Sequence, residues 1–298
     1  MPGDWIQSSN IDDPPASTAL SPKVFDRLAT YITSELGIKM PASKMPLVQS
    51  RLLRRVRELH LSSIDAYSEY FFSSTNTEER ERFINAITTN KTDFFREAEH
   101  FDFLVRKVLP ALCGTDARTA RMRVWSAACS SGEEPYTLAM LLADYASKNQ
   151  GMSYAILGTD ISTKVLEHAR KAVYRQSDIT PIPMEYRKKY LLQSKESASE
   201  LVRVTPALRA KVSFHQLNLM DPQYSMREMF DIVFCRNVLI YFDRNTQEAV
   251  IRKIVRHIVP GGYLFIGHSE SLTGMSLPLE PAMTSAFRVP LRVERERL

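Results

Sequence analysis

Residues 123–140, RVWSAACSSGEEPYTLAM, restrict the possible folds of this 298-residue chain more than any other stretch. A β-branched and aromatic start runs into small residues, then one glycine, two acids, a proline and a helix-forming apolar run. That order predicts a buried strand, a tight turn and a helix. Val124 and Trp125 favour a pleated surface, and Ala127 to Gly132 carry so little bulk that a ligand can approach the backbone. Pro135 suits the first helical turn, where its missing N–H costs nothing, and Tyr136 to Leu142 supply an apolar stripe. The strand's carboxyl end then opens on a crevice, which is where open α/β sheets bind ligands.

Glu133 and Glu134 stand at the start of that helix, a place that ordinarily draws anions. Alone, the two acids need do no more than complement the helix dipole. The next predicted strand, Ser153 to Thr159, alters the balance because it ends at Asp160. An acid at that point, roughly 20–30 residues beyond the first turn, is placed for ribose hydroxyls. The three acids together point to a nucleoside that carries positive charge.

The chain's length favours two domains, and 44% hydrophobic with 24% charged residues is a globular composition. The formal net charge is only +5, so a basic partner surface has to be local. Cys113, Cys129 and Cys235 show neither CxxC nor metal-ligand spacing, which predicts no disulfide framework, no metal site and a reducing compartment. Residues 1–20 are rich in Pro, Ser and Asp and read as a disordered tail without the features of a secretory signal. No run reaches ~18 apolar residues. A cytoplasmic, soluble protein with no direct membrane insertion is expected.

Residues 21–89 have helical periodicity throughout and read as a small all-α domain, with Phe25, Leu28 and Ile32 on one face. Its clearest amphipathic helix, PLVQSRLLRRVRELH, puts Leu52, Val56 and Leu59 on one side. Arg51, Arg54 and Arg55 fall on another, with Arg57 nearby. Such a run is either a solvated face or a docking surface for an acidic protein. Residues 90–99 carry cap and turn residues, the Phe94-Phe95 pair and Arg96, too much chemistry for a plain linker. From 100 to 298 the pattern is α/β. It is interrupted at about 175–211 by an apparent insertion with a short strand, LVRVT, and the polar stretch QSKESASE. Later come strand FDIVFC (230–235), a helix over 246–259 stopped by Pro260-Gly261-Gly262, strand YLFIG, and a closing edge strand over Ala286 to Val293.

Six stretches, NKTDFFRE, SAACSSGEEPYTLAM, ILGTDIS, the dipeptide NL at 218–219, FDIVFCRNVLIYF and PGGYLFIGHSESL, lie in one order along the chain. In this combination the chain resembles the chemotaxis receptor methyltransferases. The resemblance implies a Rossmann-like S-adenosylmethionine-dependent methyltransferase domain with a small inserted β-subdomain, preceded by an all-α domain. It implies methyl transfer from S-adenosyl-L-methionine to glutamate carboxylates of bacterial chemoreceptors, leaving S-adenosyl-L-homocysteine. On the family's cofactor positions fall Asn90, Thr92, Arg96, Glu133, Asp160, Asn218, Leu219, Arg236 and Asn237. Arg96 and Tyr241 fall near the transferred methyl and are the expected catalytic pair. The expected partner is the cytoplasmic helical region of chemoreceptors, whose glutamate-rich surface would meet Arg51, Arg54, Arg55 and Arg57; a monomer is expected.

Two rivals stand against this reading: a methyltransferase for nucleic acid or a small molecule, and a non-catalytic adaptor that senses cofactor. Asp13-Pro14-Pro15 superficially resembles the tetrad of DNA amino-group methylases. Ala16 stands in place of the aromatic and no strand precedes it, and the arginine run lacks interleaved aromatics, so nucleic acid is not the expected partner. Arg96 and Tyr241 argue against an adaptor. In the family the inserted β-subdomain can bind a receptor tail by strand addition, but QSKESASE lacks the glycines expected of such members. His268 could be read as a general base, for which an already ionised glutamate has little need.

Overall fold

The computed structural model describes residues 19–73, 75–114, 121–149, 151–194 and 200–291. The chain forms two compact units. One holds the residues up to Thr33 and Met40–Ile87, and the other holds Ser34–Lys39 with the chain from Thr88 onward. Most of the tail expected at 1–20 lies outside the described residues, as do 195–199 of QSKESASE.

The first unit is built from α1 (Pro22–Leu36) up to Thr33, α2 (Met45–Glu58), α3 (Ile64–Ser73) and α4 (Thr77–Ile87). Phe25, Leu28, Ile32, Leu52, Val56, Tyr67, Phe71 and Phe83 are buried, and Phe71 stacks on Phe83 at 4.4 Å. The Ser63 hydroxyl accepts the Ala66 N–H at 3.0 Å and so caps α3.

The arginines of α2 do not share one fate. Arg54 and Arg57 are exposed, and Arg54 pairs with Glu58 at 2.8 Å. Arg51 is half-buried and donates to the carbonyl of Ile87. Arg55 is 6% exposed, donates to Glu79 at 2.5 and 3.2 Å and also pairs with Glu58, while the Tyr67 hydroxyl donates to Glu79 at 2.8 Å. The expectation that Arg55 faces a partner is therefore corrected. One residue before Val56 and three after Leu52, it lies at the edge of the apolar face, and Glu79 draws it inward.

The second unit is organised by a seven-stranded sheet in the order β6-β2-β1-β7-β8-β10-β9. The strands are β1 (Arg121–Ala127), β2 (Ser153–Asp160), β6 (Val212–Gln216), β7 (Phe230–Cys235), β8 (Ile258–Phe265), β9 (Glu280–Met283) and β10 (Ala286–Arg288). All pairings from β6 to β8 are parallel, and β10 runs antiparallel to both neighbours. The short helices α5 (Ala98–Phe103) and α6 (Leu109–Cys113) precede β1. Alternation along the strands feeds two cores. Val124, Ile232 and Phe234 join one with α7 (Glu133–Lys148), whereas Trp125, Val233 and Cys235 join the other with α11 (Arg244–Val255). The strand order reverses between β1 and β7, which opens a crevice at their carboxyl ends.

Two elements differ from the sequence reading. The helix before Pro260 ends at Val255, and Pro260-Gly261-Gly262 lies within β8 as an irregularity, where register shifts between Phe230 and Ile232. A Cβ on Gly262 would lie 2.8 Å from the Asp231 carbonyl, so the close approach to β7 requires glycine. The closing strand is shorter than Ala286 to Val293, ending at Arg288, although Val289 still donates to the Gly262 carbonyl at 2.9 Å. Between α8 (Thr163–Lys171) and β6, a segment that also holds the short helices α9 (Met184–Tyr190) and α10 (Pro206–Arg209), strands β3 (Val173–Arg175), β5 (Leu201–Val204) and β4 (Leu191–Gln193) form a separate three-stranded antiparallel sheet in that order. Among the described residues no helix is long and apolar enough to cross a membrane.

Candidate active site

The turn after β1 is tightly wound: Ala128, Ser130 and Gly132 have φ of 56°, 50° and 98°. Its amides are taken up by the neighbouring strand. Cys129 N–H donates to the Thr159 carbonyl at 2.9 Å, and Ser130 N–H donates to the Asp160 carboxylate at 2.9 Å. The other Asp160 oxygen accepts the Ser162 N–H at 2.9 Å. Asp160 is 7% exposed, and burial raises its pKa against the pull of these amides. It is thus a strut between two loops as well as the acid placed for a ribose. The cap of α8 is Ser162, whose hydroxyl accepts the Val165 N–H. A Cβ on Gly132 would lie 2.9 Å from both Ala169 and the Tyr174 hydroxyl, so the turn admits only glycine there.

The two acids of the helix start have separate environments. Glu134 accepts the Ser126 hydroxyl at 2.7 Å and the Arg236 guanidinium at 2.9 Å, and its charge is neutralised internally. Glu133 is 8% exposed and accepts the Ser131 hydroxyl, at 2.7 and 3.0 Å, and its own backbone N–H, with no cationic partner among the described residues. Burial pushes its carboxyl up to about 7 against the bonds from Ser131 and its own backbone N–H, and the charges of Asp178 and Asp93 add to the rise. A buried carboxyl without a cation is suited to a positively charged ligand group.

The segment from Thr88 to Glu97 borders this turn. Ser130 donates its hydroxyl to the Asn90 carbonyl at 2.8 Å, and Thr92 is half-buried. Phe94 is inserted edge-on against Tyr174 at 4.9 Å, and Phe95 stacks on Tyr186 at 5.9 Å. Arg96 is half-buried and donates to the Lys91 carbonyl at 3.1 Å. It sits between Phe95 and Glu97, whose φ of 54° and 58° are left-handed, costing about 1–2 kcal/mol each for side chains with a Cβ.

Beyond β7, Arg236 is spent inside the protein. Its side chain is 2% exposed and donates to Glu134, to Glu97 at 2.8 Å and to the Arg96 carbonyl at 2.5 Å. Arg236 is among the expected cofactor residues, and its guanidinium serves as an internal strut. Asn237, with φ of 58°, donates its side-chain N–H to Glu97 at 3.0 Å and its backbone N–H to Glu270 at 3.0 Å. Glu97 collects a further N–H from His268 at 3.2 Å. Burial works against its ionisation, but the bonds from Asn237 and Arg236 and the guanidinium charge hold its carboxyl at about 2. Nearby His100 is fully buried and pressed down to about 3 by burial and by the Arg236 charge, so it is neutral. Glu97, His100 and His268 bring ligand-type atoms within 4.8 Å of one another. Arg236 on the same carboxylate disfavours a metal ion there.

Asn218 and Leu219 follow β6. Asn218 accepts the Met220 N–H at 2.9 Å and donates to the Glu35 carbonyl at 2.8 Å, and Leu219 is 7% exposed. Tyr241 ends a short 3-10 turn, Leu239–Tyr241, and is half-buried. His268 is exposed. Asn90, Glu133, Asp160, Asn218, Leu219 and Asn237 thus lie at, or packed against, the carboxyl edge of the sheet, Glu133 at the start of α7, Asp160 at the end of β2 and the others on loops. Glu97 was not singled out by the sequence reading, because its importance comes from partners far away along the chain; Glu134 was read together with Glu133 as an acid for a cationic ligand, and the structure pairs it with Arg236 instead.

A nearly parallel seven-stranded sheet, a glycine turn with a buried unpaired acid and an acid ending the next strand define an S-adenosylmethionine-dependent methyltransferase. The donor set fits that cationic nucleoside. Comparison with known proteins is specific. Residues 90–286 match the CheR methyltransferase, SAM binding domain, and residues 23–88 match the CheR methyltransferase, all-alpha domain. The chain belongs to the CheR methyltransferase family. It is 39% identical over 257 residues to the chemotaxis protein methyltransferase of Salmonella typhimurium, covering 86% of each chain. The proteins of that name from Klebsiella aerogenes and Escherichia coli are 40% and 39% identical, again over 86% of each chain.

Proposed function

We propose that the protein methylates glutamate side chains in the cytoplasmic helical region of chemoreceptors, as a cytoplasmic monomer, with the Thr88–Glu97 segment completing the cofactor site. The observation that carries this is the buried Glu133 carboxyl without a cationic partner, beside Asp160 at the sheet's carboxyl edge. Asn90, Thr92, Arg96, Glu133, Asp160, Asn218, Leu219, Arg236 and Asn237 are the residues that would hold the methyl donor. When bound, S-adenosylmethionine supplies a methyl carbon on a sulfonium sulfur, to which the glutamate oxygen bonds as the carbon–sulfur bond breaks with its pair left on sulfur.

A glutamate carboxylate is ionised at neutral pH, so no residue of this chain has to remove a proton. The protein's work is alignment and exclusion of water. Arg96 orients the acceptor carboxylate. Because charge is neutralised as the reaction proceeds, a tight grip would stabilise the ground state, and a half-buried arginine also bonded to a carbonyl suits this lighter role. Tyr241 shapes the methyl pocket or hydrogen-bonds the acceptor. Arg54 and Arg57 are the exposed cations of α2 available for an acidic receptor helix.

The test is incubation with labelled S-adenosylmethionine and a receptor cytoplasmic fragment or nucleic acid. Base-labile label on the receptor is expected; label on nucleic acid, or none, would overturn the reading. Arg96→Ala is expected to lower turnover by more than it weakens cofactor binding, and unchanged turnover would remove Arg96 from the mechanism.

A further inference from the structure

We infer that Glu97 is a positioning residue for methyl transfer, acting through Arg96; this rests on the function proposed above. Arg96 lies on a segment with left-handed backbone on both sides, at Phe95 and Glu97. Such a backbone holds one shape only if other contacts impose it. Two contacts clamp the peptide next to Arg96 itself. The Arg236 guanidinium donates to the Arg96 carbonyl at 2.5 Å, and the same nitrogen donates to the Glu97 carboxylate at 2.8 Å. Glu97 in turn is fixed by Asn237 at 3.0 Å and by the His268 N–H at 3.2 Å.

Three loops therefore converge on one carboxylate: the Arg96 segment, the end of β7 and the end of β8. Arg236 is itself anchored by Glu134 on the first helical turn of α7, so the clamp ties Arg96 to the turn that holds Glu133. Phe95 adds a second attachment, its N–H donating to the Thr137 hydroxyl at 3.1 Å. Removing the Glu97 carboxylate frees the backbone on one side of Arg96 while leaving Glu133, Asp160 and Asn218 with every bond described above. Asn237 loses its side-chain bond to Glu97 but keeps its backbone N–H on Glu270 at 3.0 Å, so the consequence falls on orientation of the acceptor more than on capture of the donor.

The experiment is a double-mutant cycle with Arg96→Ala and Glu97→Gln in the full chain, reading turnover on a receptor fragment and calorimetric affinity for S-adenosylhomocysteine. Glu97→Gln keeps the shape but replaces one acceptor oxygen with a donor. It is expected to lower turnover roughly 10- to 100-fold while changing affinity less than about threefold, and to add little in the Arg96→Ala background. Glu97→Asp, which keeps the charge, is expected to recover part of the rate. It also serves in the same cycle if the Gln variant does not fold. Additive losses, a loss of affinity equal to the loss of rate, or wild-type turnover would each overturn the proposal. If the wild-type protein itself fails to label the receptor, the proposed function fails instead, and the two failures are distinguishable.

Discussion

Asp160 and Ser130, thirty residues apart, are joined by a backbone N–H donated to a buried carboxylate at 2.9 Å. The second oxygen of Asp160 holds Ser162 at the same distance. One side chain therefore sets the spacing of the two loops that flank the crevice.

Asp160→Asn should damage both stability and binding. The amide leaves one of two buried N–H groups facing a donor, a loss of about 1–3 kcal/mol. Calorimetry with S-adenosylhomocysteine is expected to show at least roughly tenfold weaker binding, and thermal unfolding a lower midpoint. Unchanged affinity would mean that the acid serves the loops alone.

Glu133 makes binding pH-dependent. In the free protein its carboxyl is pushed up to about 7 by burial, so it holds a proton below neutrality. A cationic ligand favours the ionised form; affinity should therefore rise with pH and level off above about 7, with proton release on binding below it. In the free protein the sign for stability is opposite. The folded state binds this proton more tightly than the unfolded chain, so the contribution is present below the ordinary value of 4.5 and lost as pH rises through about 7. The loss is on the order of 3 kcal/mol. Glu133→Gln should remove both dependences, as read by calorimetry in two buffers and by unfolding from pH 5 to 8.

Much of the site was legible because its chemistry is local. The small-residue turn, Gly132 and the acid ending an apolar run are each readable within a few residues of sequence. Glu97 was not legible: in FFREAE it is one acid among others, and its partners Arg236 and His268 lie 139 and 171 residues away. Arg55 misled because spacings of three and four place it with Arg51 and Arg54, and only α4 supplies the Glu79 that turns it inward. Pro260-Gly261-Gly262 reads equally as a helix stop and as a strand irregularity, and pairing with β7 decides between them.

Tyr241→Phe separates two roles for that ring. If the ring only shapes the methyl pocket, turnover should stay within about twofold of wild type, whereas Tyr241→Ala should lose at least about 100-fold. If the hydroxyl bonds the acceptor, Phe alone should cost roughly tenfold, the worth of one hydrogen bond. Steady-state methylation of a receptor fragment distinguishes the outcomes.

The α2 arginines should divide into a structural and a docking class. Arg55 is buried with Glu79, and the Tyr67 hydroxyl shares that carboxylate. Arg55→Ala strands a buried negative charge and should cost about 3–5 kcal/mol. Replacing Arg55 and Glu79 together by Met removes both charges and should recover much of the loss. Arg54 and Arg57 are exposed, so Arg54→Glu and Arg57→Glu should leave the unfolding midpoint and affinity for S-adenosylhomocysteine near wild type. They should raise KM for the receptor fragment, by more at low salt than at high, because steering between exposed charges is screened within about 10 Å at 0.1 M salt. If charge reversal leaves KM unchanged at low salt, α2 is not the receptor-facing surface, whatever the fate of Arg55.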